Sequence, residues 1–389
     1  MTIVPVWAAW RAHPPGRQMT IGIEDEFMLL EPRGWSLAFR SDAVHAALPP
    51  DLRDRVTLET HAAVMEVATG VHRRVADAVG ELAQLRDRVV RALAAQGLRA
   101  AVAGTHPTAV AGDTVVSSHP RYRRIDASLR VLARREPTLA THVHVGVATP
   151  EGAIRLLNRL RAHVPLLLAL SANSPFWRGR ATGFASTRTT LFDAFPRSGL
   201  PRAFRGYADW VATVEHLVRS RAIPDPSFLW WDVRLQPRYG TVEVRIMDGQ
   251  STVEDIAAIV ALVQSLASLE LEPGEEPAPG PTAEVLAENR FLAARDGMAA
   301  LLIDPGTGRR VPAIEQLERL LRACRHHARG LRCERELASV RRLASGTGAA
   351  RQLAHADSAG GLRRVTAGLA DAYASSPAAS DAALADVAC

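Results

Sequence analysis

The hydrophobic and polar residues of the chain follow two kinds of repeat. Short stretches that are apolar at every second position predict strands, and these lie in the first 250 residues. Longer stretches with apolar residues three or four positions apart predict helices at 75–95, 151–172, 202–221 and 253–270. A Pro/Gly/Glu-rich segment at about 271–282 predicts a surface connection, and the pattern after it is helical from Ala283 to about Ala374.

The same pattern divides the chain into three segments. Residues 20–374 are predicted to form a single domain that carries the chemistry, and the low-complexity residues 375–389 are predicted to be disordered. Residues 1–19 are interpreted as an N-terminal extension, disordered or loosely held, with Met19 as an alternative first residue. The opening residues lack the features of a signal peptide, and no stretch has the roughly 20 apolar residues that a membrane helix needs.

Composition narrows the class of protein. The chain has 389 residues and is 47% apolar, which is enough to build a large core. Its net charge is +6, but Lys is absent and no run of Arg alternates with aromatic residues, so neither a nucleic acid nor a membrane is predicted as a partner. Cys324, Cys333 and Cys389 have neither metal-ligand nor disulfide spacing, so a reducing cytoplasm is the expected location.

Acidic residues interrupt the first predicted strand, TIGIEDEFMLL, which is otherwise apolar. Successive side chains of a strand point to opposite faces. Glu24 and Glu26 therefore share one face, while Asp25 lies on the other. Three further stretches, THVHVGV, TVEVRIMD and TLETHAAVMEVATG, likewise combine an apolar face with a polar one. Their polar faces hold His142 and His144, Glu243 and Arg245, and Glu59 and Glu66.

Carboxylates packed in one concave site repel each other, and burial would raise their pKa values. Divalent cations such as Mg²⁺ or Mn²⁺ remove this conflict because they bind carboxylate oxygens and tolerate an imidazole. A single E-x-E stretch is more often an exposed strand face, and an E-x-R pair is often a salt bridge. Recurrence of such faces on several strands favours a metal site.

Several motifs occur in an order typical of one known family. They are GIEDEF, GTHP, HVHVGV, LSANSPFW, GFASTR, PRSGLP, FLWWDVR and TVEVRIMD. With these motifs, the chain resembles the carboxylate–amine ligases related to bacterial glutamate–cysteine ligase type 2, from about Thr20 to at least Ile303. The resemblance implies an α+β, glutamine-synthetase-like fold. In this fold a curved, mainly antiparallel sheet forms a funnel, helices cover its outer face, and here the C-terminal third is helical.

The resemblance also implies roles for the polar residues of the strands. One Mg²⁺ would be held by Glu24, Glu59 and Glu66, and the other by Glu26, His144 and Glu243. The predicted catalytic residues are Arg245, Glu66 and Glu243, with Arg245 touching the transferred phosphoryl group. The predicted substrate or nucleotide contacts are Arg188, Arg234, Trp231, Tyr122, Arg123 and His142, the last in a supporting position. For two of these residues the sequence allows an alternative without a substrate contact. Arg188 could be a solvated loop residue, and packing alone could explain Trp231.

The chemistry that these groups suit is activation of a carboxylic acid by ATP. Transfer of the γ-phosphoryl group gives an acyl phosphate, and an amine then displaces phosphate to form an amide. Catalysis of phosphoryl transfer depends mainly on positioning the reactants and neutralising their charge, so no protein nucleophile is needed. The predicted cofactors are ATP and Mg²⁺, with Mn²⁺ as an alternative, and the predicted partners are a small acid, a small amine and a second copy of the chain in a homodimer or larger homo-oligomer.

Other functions stay open at the level of sequence. The same carboxylates and histidines suit an ATP-independent, metal-dependent amide hydrolase. A non-enzymatic, Arg-rich binding protein is a third hypothesis, and it ranks low. The chain also departs from the family pattern at Leu139, Ala140, Thr187 and Leu235. These departures lie near the expected acid or amine pocket, so glutamate and cysteine cannot be assumed as substrates.

Overall fold

The computed structural model describes residues 5–13, 18–272, 280–359 and 361–375. The strands are β1 (Ile21–Leu30), β2 (Val56–Leu58), β3 (Val64–Ala68), β4 (Arg99–Ala101), β5 (Thr141–Gly146), β6 (Phe176–Trp177), β7 (Arg180–Ala181), β8 (Ser198–Gly199), β9 (Trp230–Trp231), β10 (Val233–Gln236), β11 (Thr241–Val244), β12 (Leu301–Ile303) and β13 (Arg310–Pro312). The helices before the connection are α1 (Ser41–Ala47), α2 (Pro50–Arg53), α3 (Val75–Ala94), α4 (Pro120–Leu129), α5 (Pro150–Leu160), α6 (Val164–Ser171), α7 (Thr187–Phe192), α8 (Tyr207–Arg219) and α9 (Val253–Glu270). Those after it are α10 (Ala283–Asp296), α11 (Ala313–Leu331), α12 (Glu334–Ala338), α13 (Val340–Ser345), α14 (Gly348–Ala359) and α15 (Leu362–Ala374).

The main sheet has seven strands. Six of them lie side by side in the order β10, β11, β5, β1, β3 and β2, each antiparallel to its neighbour, and β4 pairs with the C-terminal end of β1. The apolar faces of β1, β5 and β11 join the main hydrophobic core, to which α3 and α9 also contribute. On the other face, a second hydrophobic cluster that includes Met28, Leu30 and Leu369 covers the C-terminal part of β1. The rest of that face is left free to form a site.

Of the four helices predicted before the connection, two match the structure closely and two differ from it. Helices α3 and α9 occupy the predicted stretches almost residue for residue. The predicted helix at 151–172 is divided into α5 and α6, because Pro165 allows a helix to start but not to pass through. Helix α8 begins at Tyr207, five residues later than predicted.

A β-hairpin interrupts the C-terminal third, which was predicted to be almost wholly helical. Strands β12 and β13 pair around a turn in which Asp304 Oδ1 accepts a hydrogen bond from the backbone N of Thr307 at 3.0 Å. Gly308 has a φ of +67°, a left-handed conformation that glycine adopts at little cost. The short DPGTG sequence thus forms a hairpin turn. The prediction missed it because the residues around it have a helical pattern.

The first residues of the chain also differ from the prediction. Residues 5–13, expected to be disordered or loosely held, pack against the body of the protein. The indole Nε1 of Trp10 donates to the backbone O of Val147 at 3.1 Å, and the Trp7 ring lies edge-on to Trp210 at 5.7 Å between centroids. Two isolated indoles anchor this segment, and isolated residues leave no periodic signal in a sequence.

Some predictions fall on residues outside the described ranges. These are most of the connection at 271–282, the tail after Ser375 and Cys389. Cys324 and Cys333 are buried and form no disulfide. Within the described ranges, no helix has the length and the apolar composition to cross a membrane.

A buried ion pair ties the back of β1 to α3. Arg86 donates from Nε and NH2 to the two carboxylate oxygens of Asp25 at 2.8 and 3.0 Å, and both side chains are fully buried. The Arg86 guanidinium also lies 4.4 Å from the centroid of the Tyr373 ring. The pair confirms that Asp25 points away from the face that carries Glu24 and Glu26.

Candidate active site

The free face of the main sheet carries a polar side chain from each strand in turn. The register places Glu243 opposite both Arg234 and His144, Glu24 opposite His142, and Glu26 opposite Glu66. The prediction that these residues share one face is confirmed. Arg245 follows β11 and Glu59 follows β2, and both line the same cavity.

Two groups of side chains in this row have the spacing of metal ligands. One group is Glu24, His142 and Glu243, and the other is Glu26, Glu66 and His142; within each group the ligand atoms lie within 4.8 Å of one another. The Nδ1 atom of His142 lies 3.0 Å from Glu24 Oε2, and its Nε2 lies 3.8 Å from Glu26 Oε1. His142 therefore stands between the two groups.

This grouping differs from the one predicted from the sequence, which combined Glu24 with Glu66 and Glu26 with Glu243. Parity fixes the face on which a side chain lies, whereas the register between strands fixes its neighbours. The structure also places His142, rather than His144, in both groups. His144 lies 3.1 Å from Glu24 Oε1, and its Nδ1 lies 3.0 Å from Thr241 Oγ1.

Glu59 lies outside both groups. Its Oε2 accepts a hydrogen bond from the backbone N of Thr60 at 3.1 Å, and its carboxylate faces the cavity beside Glu26 and Glu66. Burial raises its pKa, against the opposing effect of the Thr60 hydrogen bond. Its assignment as a metal ligand stays a prediction.

Two carboxylates of the site are only partly compensated by the protein: Arg245 acts on both from a distance, and Glu26 Oε2 accepts a hydrogen bond from the backbone N of Ala140 at 2.7 Å. Burial, with a further contribution from Glu59, raises the pKa of Glu26 to about 8. Burial raises the pKa of Glu66 well above its usual value, and Glu24, Glu59 and Glu26 raise it further. Among the described residues, neither carboxylate has an arginine within 4.0 Å. A buried pair of carboxylates whose pKa values stay raised despite these contacts fits a divalent cation such as Mg²⁺.

The neighbouring carboxylates are compensated by the protein itself. Burial alone would raise the pKa of Glu243, but Arg234 and Arg245 outweigh it and lower that pKa. Arg234 Nε donates to Glu243 Oε2 at 2.6 Å, and Gln236 donates to the same oxygen at 2.7 Å. Arg245 donates to the other oxygen of Glu243.

The two histidines differ in charge. Burial, assisted by Arg245, lowers the pKa of His142 to about 4, so this imidazole is neutral near pH 7 and can act as a ligand. Burial also opposes protonation of His144, but Glu24 and Glu243 outweigh it and raise its pKa. For Glu24, burial is outweighed by His144 and His142, so its pKa is lowered.

The polar face opens into a cavity of about 710 Å³, which we call the outer cavity. Its floor is the carboxylate face of the sheet. Its walls include three arginines, Arg121, Arg234 and Arg238, and its rim includes the apolar residues Val6, Trp7, Ala9 and Tyr239. Such a volume is typical of small-molecule sites.

A smaller chamber of about 100 Å³, the inner chamber, lies beside the same carboxylates. It is lined by Glu26, Glu59, Arg188 and Arg245 and by the apolar residues Val64, Ile125, Leu129, Phe192, Phe195 and Trp230. The Nε atoms of Arg188 and Arg245 are buried and have no hydrogen-bond partner among the described residues. A buried donor without a partner is uncommon, which makes both side chains candidates for a ligand contact.

The position of Arg188 is set by a buried polar network. Arg188 donates from NH1 to the backbone O of Ile246 at 3.0 Å, and its NH1 lies 3.8 Å from Asp248 Oδ1. Asp248 accepts hydrogen bonds from Ser174 Oγ at 2.6 Å and from Ser186 Oγ at 2.8 Å. Arg188 is thus a fixed buried residue rather than a solvated loop residue.

Two of the predicted contacts, Trp231 and Arg123, lie outside both cavities. Trp231 does not line either cavity; its ring packs 5.8 Å from that of Phe204, and the cavity wall is formed by Trp230. Arg123 is exposed on the outer side of α4, while Arg121 faces the cavity and donates to Ser227 Oγ at 2.7 Å.

The other predicted contacts lie where expected. Tyr122 lines the outer cavity and donates a hydrogen bond from its hydroxyl to the backbone O of Leu58. Arg234 lines the same cavity and forms an ion pair with Glu243. Sequence reasoning missed Gln236, although it lies two residues after Arg234 on the same strand and parity alone places it on the polar face.

Comparisons with known proteins agree with this geometry. A sequence model of glutamate–cysteine ligase family 2 matches residues 20–368. A protein of Rubrobacter xylanophilus named "Putative glutamate--cysteine ligase 2-1" is 39% identical over 333 residues, which cover 86% of this chain and 89% of that protein. The glutamate–cysteine ligase of Natronomonas pharaonis is 35% identical over 306 residues, covering 78% of this chain and 84% of that protein.

Comparison with solved structures tests the predicted fold. Glutamate–cysteine ligase of Francisella tularensis in complex with AMP matches with a TM-score of 0.67 at 14% identity, covering 93% of this chain and 90% of that one. The bifunctional glutathione synthetase of Pasteurella multocida matches with a TM-score of 0.68 at 15% identity, covering 92% of this chain. This chain spans about half of that enzyme, 52% of its length. The predicted glutamine-synthetase-like fold is confirmed, and the chain belongs to glutamate–cysteine ligase family 2.

Proposed function

We propose that this chain is an ATP- and Mg²⁺-dependent carboxylate–amine ligase that forms an amide through an acyl phosphate. The observation that carries the proposal is the group of metal-ligand spacing formed by the buried Glu26, Glu66 and His142, in the cavity that Arg245 also lines. Metal ligands and free guanidinium donors in one cavity suit the transfer of a phosphoryl group, because its catalysis depends on charge neutralisation and positioning. The AMP complex of the Francisella tularensis relative supports nucleotide use by this fold.

In the proposed reaction, a carboxylate oxygen of the acid attacks the γ-phosphorus of ATP. The bond from this phosphorus to the β,γ-bridging oxygen breaks, and ADP leaves. The nitrogen lone pair of the amine then attacks the carbonyl carbon of the acyl phosphate. The bond from carbon to the phosphate oxygen breaks, phosphate leaves, and the amine nitrogen loses a proton. No covalent protein intermediate is required.

Residues of the chain have distinct proposed parts in these steps. Glu26, Glu66 and His142 form one proposed site for Mg²⁺, and Glu24 and Glu243 belong to the other. Because a neutral imidazole offers one lone pair, His142 binds only one of the two ions. Bound Mg²⁺ would neutralise phosphate charge. Glu59 and His144, which lie next to these groups, are further candidates for binding Mg²⁺.

The arginines and the tryptophan act on the substrates directly. Arg245 presents its unpaired Nε to the phosphoryl group, and Arg234 and Arg121 face the rest of the polyphosphate. Arg188, held by the Asp248 network, presents its Nε to the acid in the inner chamber. Trp230 lines both cavities and keeps water from the acyl phosphate between them.

The test is acid-dependent formation of ADP in the presence of hydroxylamine, which traps an acyl phosphate as a hydroxamate. We expect ADP and hydroxamate to form only with Mg²⁺, ATP and a suitable acid from a panel that includes glutamate. The Glu66→Gln variant should lose both products, while Glu288→Gln, which changes an exposed carboxylate on α10, should keep them. Breakdown of amides without ATP, and no ADP with any acid, would instead identify the hydrolase.

A further inference from the structure

The N-terminal residues 6–9 form part of the rim of the outer cavity, although they precede the region that matches the family at residues 20–368. Val6, Trp7 and Ala9 line the cavity. Val6 is apolar but 93% exposed, and nothing among the described residues covers it. An exposed apolar residue is common by itself, but here it borders a ligand-sized cavity.

This segment is fixed to the protein on one side by α8. Trp7 Nε1 donates to Glu215 Oε2 at 3.0 Å, and the hydroxyl of Tyr207 donates to the backbone O of Ala8 at 2.6 Å. Ala8 is fully buried. The backbone of residues 6–9 is therefore held in place, and the exposed side of Val6 is presented in a fixed position.

The segment is fixed on the other side by the turn between β10 and β11. The backbone N of Arg11 donates to the O of Pro237 at 2.9 Å, and His13 Nε2 lies 2.8 Å from the O of Gly240. A Cβ atom at Gly240 would lie 2.1 Å from the Arg11 O, so only glycine permits this approach. The same turn carries Arg238 and Tyr239, which also line the outer cavity.

The outer cavity combines three kinds of lining. It has carboxylates, the four arginines Arg121, Arg234, Arg238 and Arg245, and the apolar or aromatic residues Val6, Trp7 and Tyr239. An occupant that fits this combination has both a polyanionic part and a flat, weakly polar ring. A nucleoside triphosphate has this form, whereas a small acid or amine offers no ring for the rim.

We propose that residues 6–9 form a wall of the nucleoside subsite, where the base of ATP packs against Val6, Trp7 and Ala9. This inference rests on the proposed use of ATP. It gives a binding role to a segment outside the matched family region.

The test compares two ligands by calorimetric titration of the full chain with Mg²⁺ present: a non-hydrolysable ATP analogue and inorganic tripolyphosphate. The variants are Val6→Asp and Ala9→Asp, both at exposed positions where folding should be unaffected. Val71→Asp is the matched control, because Val71 is also an exposed valine, at 71%, and lies away from the cavity.

We expect Val6→Asp to weaken binding of the analogue about tenfold, because it replaces an apolar contact with the base by a charged group, and to leave tripolyphosphate binding unchanged. Ala9→Asp should act in the same direction, and Val71→Asp should match the parent. Unchanged binding of the analogue by both rim variants would overturn the inference alone. An equal loss for both ligands would also overturn it, because it would show a charge effect on phosphate. A parent chain that binds neither ligand would overturn the proposed function together with the inference.

Discussion

Binding of Mg²⁺ should release protons from the candidate active site. Glu26, with a pKa of about 8, holds a proton at pH 7 in the metal-free protein. Its pKa is raised, so the proton is held below that value and lost above it. A cation needs the ionised carboxylate, so apparent affinity should rise with pH and level off above about pH 8. One pKa unit corresponds to about 1.4 kcal/mol, so the gain from Glu26 alone is about tenfold per pH unit between pH 6 and 8. Glu66, whose pKa is also raised, should add to the effect.

The assay is calorimetric titration of the full chain with Mg²⁺ in two buffers of different ionisation enthalpy. At pH 7 we expect release of about one proton or more per chain, and less at pH 8.5, since most of Glu26 would already be ionised there. The Glu26→Gln variant should release about one proton fewer, and the exposed control Glu288→Gln should match the parent. Equal heats in both buffers, with an affinity that does not change with pH, would refute the reasoning.

Three further variants test other parts of the account. Arg86→Met leaves Asp25 buried without its partner and should lower the free energy of unfolding by about 3–5 kcal/mol in urea titrations; a loss under about 1 kcal/mol would contradict the role of the pair. Trp230→Ala should raise a substrate KM several-fold in ADP-release assays while Trp231→Phe does not, and equal effects would contradict the cavity assignment. Glu243→Gln removes a buried carboxylate from between two arginines, so it should lower the melting temperature and also lower turnover of the folded protein about 100-fold. Full activity would exclude Glu243 from the site.

The sequence predicts the face of each strand better than the neighbours of each residue. Alternation in TIGIEDEFMLL separates Glu24 and Glu26 from Asp25, and the structure agrees, because a strand has a fixed period of two. The same period leaves His142 and His144 on one face and cannot decide between them. Their distances from Glu24 and Glu26 depend on the register between β1 and β5, and register is set by contacts distant in sequence.

The sequence does not predict which way side chains point at the ends of strands and helices. Trp230 and Trp231 form a two-residue strand beside a separate strand, so parity could not say which indole faces the cavity. Arg121 and Arg123 lie in the first turn of α4, where the rotation of the helix about its axis decides which one faces inward. The docked residues 6–9 depend on α8 and on the turn at Gly240, and neither is near them in the sequence.

The most direct test of the central claim is calorimetric titration of the full chain with a non-hydrolysable ATP analogue, first with Mg²⁺ and then in EDTA. The account predicts binding that requires Mg²⁺, because a cation bound at Glu26, Glu66 and His142 would supply the positive charge that holds the polyphosphate at this face of the sheet. Absence of binding under both conditions would contradict the account and favour an ATP-independent hydrolase on the same face of the sheet.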